Sequence, residues 1–177
     1  MTASKVALTA LFCVFASFGW ATAADAPCTN PPSDVADYLR THHGWKILQV
    51  GDLVSDDQAL WNQYHRGQCP GMTLVDFDGS GEKFLALALL SHSNGKTTEK
   101  VVAIRHAKRG LKEYTLAAPW SGGIVVIWRS GPDIAKEWDS TKKVHIPHGS
   151  LIVEKMESAA QQFYLSHGKF HYVQISD

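Results

Sequence analysis

Apolar positions change their rhythm once along this chain, from helical spacing before Gly67 to strand-like alternation and continuous runs after Met72. Val35, Tyr38, Leu39 and His42 fall at i, i+3, i+4 and i+7, which predicts a helix with one buried face. Pro31-Pro32 bars helix before Ser33, a suitable N-cap, while Asp34 and Asp37 suit the positive end of the helix dipole and Gly44 can end the helix. A short apolar strand follows from Trp45 to Val50. Ser55-Asp56-Asp57-Gln58 then reads as a capping box opening a second helix, with Leu60, Trp61 and Tyr64 on its buried side and Gly67 beyond its end. Both helices are expected to cover a sheet.

From Met72 onward the pattern is that of strands. Phe84 to Leu90 is almost continuously apolar, as in a central strand buried on both faces. Val101–Ile104, Tyr114–Leu116 and Ile124–Trp128 are further β-branched or aromatic runs, separated by Ser93-Asn94-Gly95, Arg109-Gly110 and Ser121-Gly122-Gly123. Phe163–Leu165 and Phe170–Ile175 flank Ser166-His167-Gly168-Lys169, which predicts a hairpin pairing Leu165 with Phe170 and Phe163 with Tyr172. No internal repeat, low-complexity tract or interdomain linker interrupts the run. The expected fold is a single α+β domain, two N-terminal helices packed on a multi-stranded antiparallel β-sheet.

Residues 1–23 stand apart from this pattern. Lys5 supplies a positive start, Val6 to Trp20 an apolar stretch, and Ala21-Thr22-Ala23 the small-x-small ending that a signal peptidase cuts. The stretch is shorter than the roughly 20 residues of a spanning helix. It is expected to be a secretory signal peptide, leaving residues 24–177 as an exported domain, periplasmic or extracellular, with no membrane insertion.

Charge narrows the partners. The chain carries 17 Lys+Arg and 17 Asp+Glu, and removing Lys5 leaves 16 basic against 17 acidic residues, a net charge of −1. That balance gives no broad attraction for a nucleic-acid backbone or an anionic membrane. The densest basic cluster, Arg105, His106, Lys108, Arg109 and Lys112, alternates with strand and turn positions and reads as a solvated face.

Two cysteines, Cys28 and Cys69, survive removal of the leader, and in an exported domain they are expected to pair. Such a bridge ties the N-terminal tail to the segment after the second helix. Closing a loop of about 41 residues stabilises a fold by roughly 3 to 4 kcal/mol on a chain-entropy estimate.

Asp76-Phe77-Asp78-Gly79-Ser80-Gly81-Glu82-Lys83-Phe84 places acidic or hydroxyl side chains at alternate positions with a glycine at the turn. The segment resembles the calcium loop of FG-GAP and VCBS-type repeats, in which oxygens so spaced surround a hard cation. The resemblance implies Asp76, Asp78, Ser80 and Glu82 as calcium ligands. It covers nine residues and departs from the pattern at the ninth, where Phe84 replaces a carboxylate. A β-turn with Asp and Gly in their usual places explains the same residues.

Other chemistry is sparse. His145 and His148 flank Pro147, which bars a helix, and they would point to opposite faces of a strand, so a zinc pair is not expected. His42-His43 suits a helix C-terminus. The chain has no G-x-S-x-G elbow and no glycine-rich phosphate loop. Asp133, Glu137 and Asp139 read as a polar surface. Trp45 and Trp61 fit a core, whereas Trp120, in a loop of Pro, Ser and Gly, and Trp138, among charged residues, are candidates for a binding surface.

These features favour a small exported binding protein, of the inhibitor or immunity type, acting through a surface on an envelope or extracellular protein without catalysis. The Ser-Gly-x-x-Tyr segment of periplasmic lysozyme inhibitors is absent, since Ser130-Gly131 leads into Pro132-Asp133-Ile134. Two alternatives stay open: a secreted hydrolase with a site assembled from dispersed residues, and a calcium-stabilised structural or adhesive module.

Overall fold

Phe84 to Leu90 organises the molecule. All seven residues are buried, because the strand carrying them has a layer on each face. The computed structural model describes Cys28 and residues 31–108, 110–117 and 123–177. The expected signal peptide and Trp120 lie outside the described residues.

Two helices, α1 (Ser33–Thr41) and α2 (Ser55–Tyr64), precede most of the strands. The first sheet is an antiparallel meander of β3 (Phe84–Ser93), β4 (Lys96–Ala107) and β5 (Gly110–Ala117). The short strands β1 (Trp45–Ile47) and β2 (Met72–Val75) both pair with the remaining edge of β3, β1 opposite Leu89–Ser91 and β2 opposite Phe84–Leu87. A second antiparallel sheet has the order β11 (Lys169–Ser176), β10 (Ala160–Ser166), β9 (Ser150–Glu154), β6 (Val126–Ser130). A two-stranded ribbon, β7 (Asp133–Lys136) and β8 (Lys143–Ile146), completes the single domain.

The side-chain period of two explains the layers. Phe84, Ala86, Ala88 and Leu90 enter the core shared with Leu151, Val153 and Phe163 of the second sheet. Leu85, Leu87 and Leu89 point the other way, into a cluster with Val35 and Tyr38 of α1. A third, small cluster joins Ala135 and Ile146 of the ribbon to Val173 of β11. The strands therefore divide into two sheets and a ribbon rather than one sheet. Strand signals are local, and the partition is decided by pairings between distant segments.

Cys28 and Cys69 are joined by a disulfide, with Cα atoms 5.3 Å apart across a separation of 41 residues. The hairpin of β10 and β11 has the expected register, Leu165 opposite Phe170 and Phe163 opposite Tyr172. His167 and Gly168 both adopt left-handed backbone angles, φ 49° and 73°, as a tight two-residue hairpin turn requires.

Three local expectations are corrected. Pro32, not Ser33, is the N-cap of α1, its carbonyl receiving the Val35 and Ala36 N–H groups. No capping box forms at Ser55: Val54 is the N-cap, and the Gln58 amide donates back to the Leu53 carbonyl. The acidic cap lies one turn earlier, where the Asp52 carboxylate accepts from the Gln49 N–H. Tyr64 is 66% exposed, while Trp61 alone of α2 is fully buried. The helix is short, and only its Trp61 row meets the core.

Candidate binding groove beside the edge strand

The short strand β2 borders a concave surface. Val75 faces the inter-sheet core and Met72 the α1 side, so Leu74, two residues on from Met72, shares the α1 side but lies beyond the helix. It is left 46% exposed. Leu85, its partner across the pair, carries the same apolar surface onto β3.

Three cavities meet here, and Leu74 and Lys83 line all of them. The largest, about 360 Å³, is mostly apolar, floored by Met72, Leu74, Leu85 and Ile127 and walled by Gln68 and Cys69 at the disulfide. A smaller one of about 60 Å³ extends toward Asp34, Ile104 and Leu111. The third, about 280 Å³, is more polar and is bounded by Asp76, Arg129, Ser130 and Gly149.

Arg129 of β6 and Lys83, just before β3, line both the largest and the polar cavity. Among the described residues neither takes part in an ion pair, whereas Arg105 holds Asp78 at 3.4 Å and His106 lies 3.4 Å from Asp34. Two cations without such partners at the junction of an apolar and a polar cavity suit an anionic group attached to an apolar body.

The predicted calcium loop forms one wall. Asp76 Oδ2 accepts from the Gly81 N–H, Asp78 Oδ1 from the Ser80 N–H, and Ser80 Oγ from the Glu82 N–H. Hydrogen bonds from Ser80 and the nearby Arg105 charge hold the Asp78 carboxyl below its ordinary range, against a smaller opposing effect of burial. Asp76 Oδ1, by contrast, is buried with no hydrogen-bond partner. Among the described residues no three His, Cys, Asp or Glu side chains gather in an arrangement able to hold a metal ion. The His148 ring packs over Gly79.

No family model matches the chain, and no characterised protein or solved structure is detectably similar to it. The geometry of the groove and of the other polar clusters therefore carries the functional reading.

The densest titratable cluster lies where α1 meets the first sheet. Tyr38 donates to Glu113 Oε2 at 2.9 Å and accepts from Lys100 Nζ at 3.2 Å. His42 stacks on Tyr38 and shares a ring nitrogen with the Tyr38 carbonyl at 2.9 Å, so it caps the helix. Burial first, then the Glu113 carboxylate, pushes the Tyr38 hydroxyl far above its ordinary range, so it remains protonated as a donor. These groups satisfy one another and pin α1 to β4 and β5.

A second group packs the His65 imidazole against two indoles, stacked on Trp61 with ring centroids 4.4 Å apart and tilted against Trp128 at 4.6 Å. Burial lowers the His65 pKa, since the charged ring would lose hydration there. Trp138 is 51% exposed at the turn after β7, its backbone N–H bonded to the Gln174 carbonyl, so it stands on the ribbon side of the molecule. It does not line the cavities around Leu74.

Sequence reasoning missed Leu74, Lys83 and Arg129. Each reads as an ordinary surface or strand residue, and only the pairing of β2 with β3 and the approach of β6 assemble them. The one available signal was an apolar Leu74 in a strand too short to be central.

Proposed function

We propose that this protein is a small exported binding protein that recognises an envelope or extracellular partner through the groove beside β2, in the manner of inhibitors and immunity-type proteins. The observation that carries the reading is the junction of an apolar and a polar cavity at Lys83 and Arg129, two cations without ion-pair partners among the described residues. Such a surface orients a partner by charge and holds it by apolar burial. The disulfide at the groove wall suits an oxidising compartment, and among the described residues no helix is long and apolar enough to cross a membrane.

The test is affinity capture from the exporting cell's envelope and medium, with residues 24–177 as bait beside a Lys83→Glu, Arg129→Glu double variant. A protein retained by the parent and lost by the variant supports the reading. Identical capture by both, or none by either, refutes it.

A calcium-stabilised module is the second reading, and Asp76 Oδ1 is the observation in its favour. Calcium that raises the melting temperature, with the rise abolished by Asp76→Ala and Asp78→Ala together, supports that module. An unchanged melting temperature removes it.

A further inference from the structure

We propose that Asn94, at the tip of the β3–β4 hairpin, is a site of spontaneous covalent modification. Its side-chain amide is lost through attack by the Gly95 nitrogen, which leaves an aspartyl or isoaspartyl residue. The tip stands at the opposite end of β3 from the groove beside β2.

A two-residue turn sets the geometry. Ser93 pairs with Lys96 as the last rung of the ladder, and Asn94 and Gly95 span it with left-handed φ angles of 50° and 71°. Asparagine followed by glycine is the pair such a turn favours, since one tolerates that backbone and the other has no Cβ to clash. The same pair is open to ring closure, because the attacking nitrogen belongs to a residue with no side chain to shield it. A Cβ built on Gly95 would meet no atom within 4 Å, so the surroundings do not shield it either. Both residues are exposed, and among the described residues no hydrogen bond holds the Asn94 amide or the Gly95 N–H.

The fold separates this position from the other asparagines and from the one Asp-Gly pair. Asn30 precedes Pro31, whose nitrogen carries no hydrogen. Asn62 lies inside α2, where the Gln63 N–H serves the helix. Asp78-Gly79 has the same spacing of carbonyl carbon and glycine nitrogen. Its carboxylate, however, accepts from the Ser80 N–H and lies 3.4 Å from the Arg105 guanidinium, and an ionised carboxylate resists attack. The His148 ring also covers Gly79.

In the reaction the Gly95 nitrogen gives its proton to solvent and bonds to Asn94 Cγ. The Cγ–Nδ2 bond breaks, and the amide nitrogen leaves as ammonia, taking a proton back. Water then opens the cyclic imide. Addition at Cγ gives aspartate. Addition at the Asn94 main-chain carbonyl carbon gives isoaspartate, with the chain rerouted through Cβ and Cγ. One water is consumed and one ammonia released, with no change of oxidation state. Both products place a negative charge two residues before Lys96, and the second also inserts a methylene into the turn, which disrupts the Ser93–Lys96 rung. Leu90 and Glu99, the nearest pair buried on both strands, lie further down the ladder.

The folded, disulfide-bonded protein is aged for days in ¹⁸O-enriched water at neutral and at mildly alkaline pH. Beside it are the same protein unfolded in urea and an Asn94→Gly variant, whose Gly-Gly turn keeps the hairpin. Peptide mapping with fragmentation that distinguishes aspartate from isoaspartate is the readout. The folded parent is expected to lose Asn94, to take up one ¹⁸O atom there, and to yield both products. It is expected to react faster at the higher pH, where the Gly95 nitrogen is more readily deprotonated. Asn62 and Asp78 are expected to stay unchanged in the same samples, and the variant to release no ammonia over the same period. Asn94 that persists in the folded protein overturns the proposal, whether or not the unfolded chain reacts. Aspartate without isoaspartate overturns the cyclic route. Loss of Asn62 or isomerisation of Asp78 at the same rate as Asn94 overturns the assignment to the hairpin tip.

Discussion

Replacing Glu99 by glutamine isolates one buried proton from the rest of the molecule. Glu99 lies on the core-facing side of β4, 6% exposed, and both its carboxylate oxygens accept from the Val125 N–H, at 3.0 and 3.1 Å. Burial raises its pKa from 4.5 to about 7, against a smaller lowering by the Val125 hydrogen bonds. Between those two values the folded state holds a proton that the unfolded chain has lost. Stability is therefore fully present below pH 4.5, declines as pH rises, and is lost once pH passes about 7. The whole decline amounts to about 3 kcal/mol at most, at 1.36 kcal/mol per pKa unit. The amide introduced by Glu99→Gln cannot ionise, and its oxygen can still accept from Val125. Two other groups blur the parent's own curve: burial raises the Glu154 pKa and so adds to the decline, while the lowered His65 pKa opposes it. Subtracting the two proteins' curves cancels both, along with any constant cost of the new amide. Urea unfolding of parent and variant at pH 5, 6, 7 and 8 gives the difference directly. The variant should gain on the parent by about 2 to 3 kcal/mol from the lowest pH to the highest. Parallel curves would refute the reasoning, because they would mean that Glu99 titrates alike in the folded and unfolded states.

The other expectations are simpler. Cys28→Ser with Cys69→Ser should cost roughly 3 to 4 kcal/mol in urea unfolding, the loop-closure value for a bridge of this span. Gly149→Ala places a Cβ 2.7 Å from the Asp76 carbonyl oxygen, a backbone atom that cannot swing aside, and should lower stability by about 1 to 3 kcal/mol in the same assay. Tyr38→Phe removes the hydroxyl between Glu113 and Lys100, which already lie 3.6 Å apart and can pair directly. The loss should stay near 1 kcal/mol, read by thermal unfolding.

Where one stretch of sequence contains both the signal and the partner that satisfies it, the structure agrees with the reading. The C-terminal hairpin is the clearest instance, because Gly168 at the turn and the aromatic residues on either side determine the register together. Phe84–Leu90 is another: seven apolar residues in succession need cover on both faces, and they have it. The helix starts were less legible. Ser33 and Ser55 are good N-caps by residue type, yet each stands one place inside its helix, since a cap depends on where the preceding backbone turns. The division into two sheets was not legible at all. Nothing in Val126–Ser130 or Ser150–Glu154 distinguishes a strand of the first sheet from one of the second. The distinction arises when Ile127 and Val153 meet across a register formed by segments far apart in the chain.

The groove was hidden for the same reason. Tryptophan was the natural marker of a binding surface, and Trp138 is indeed exposed, but on the ribbon side of the fold. At the groove the apolar surface comes from Leu74, whose exposure follows from the end of α1, not from its own neighbours in sequence. Lys83 belonged, in the sequence, to a loop whose acidic residues suggested a cation site. In three dimensions Asp78 of that loop is held by Arg105, and Lys83 lines a cavity with Arg129 from the other sheet. A segment that looks anionic when read along the chain thus borders a cavity with two positive charges that no described carboxylate pairs. Local charge counting fails there because folding pairs some charges and leaves others without a partner.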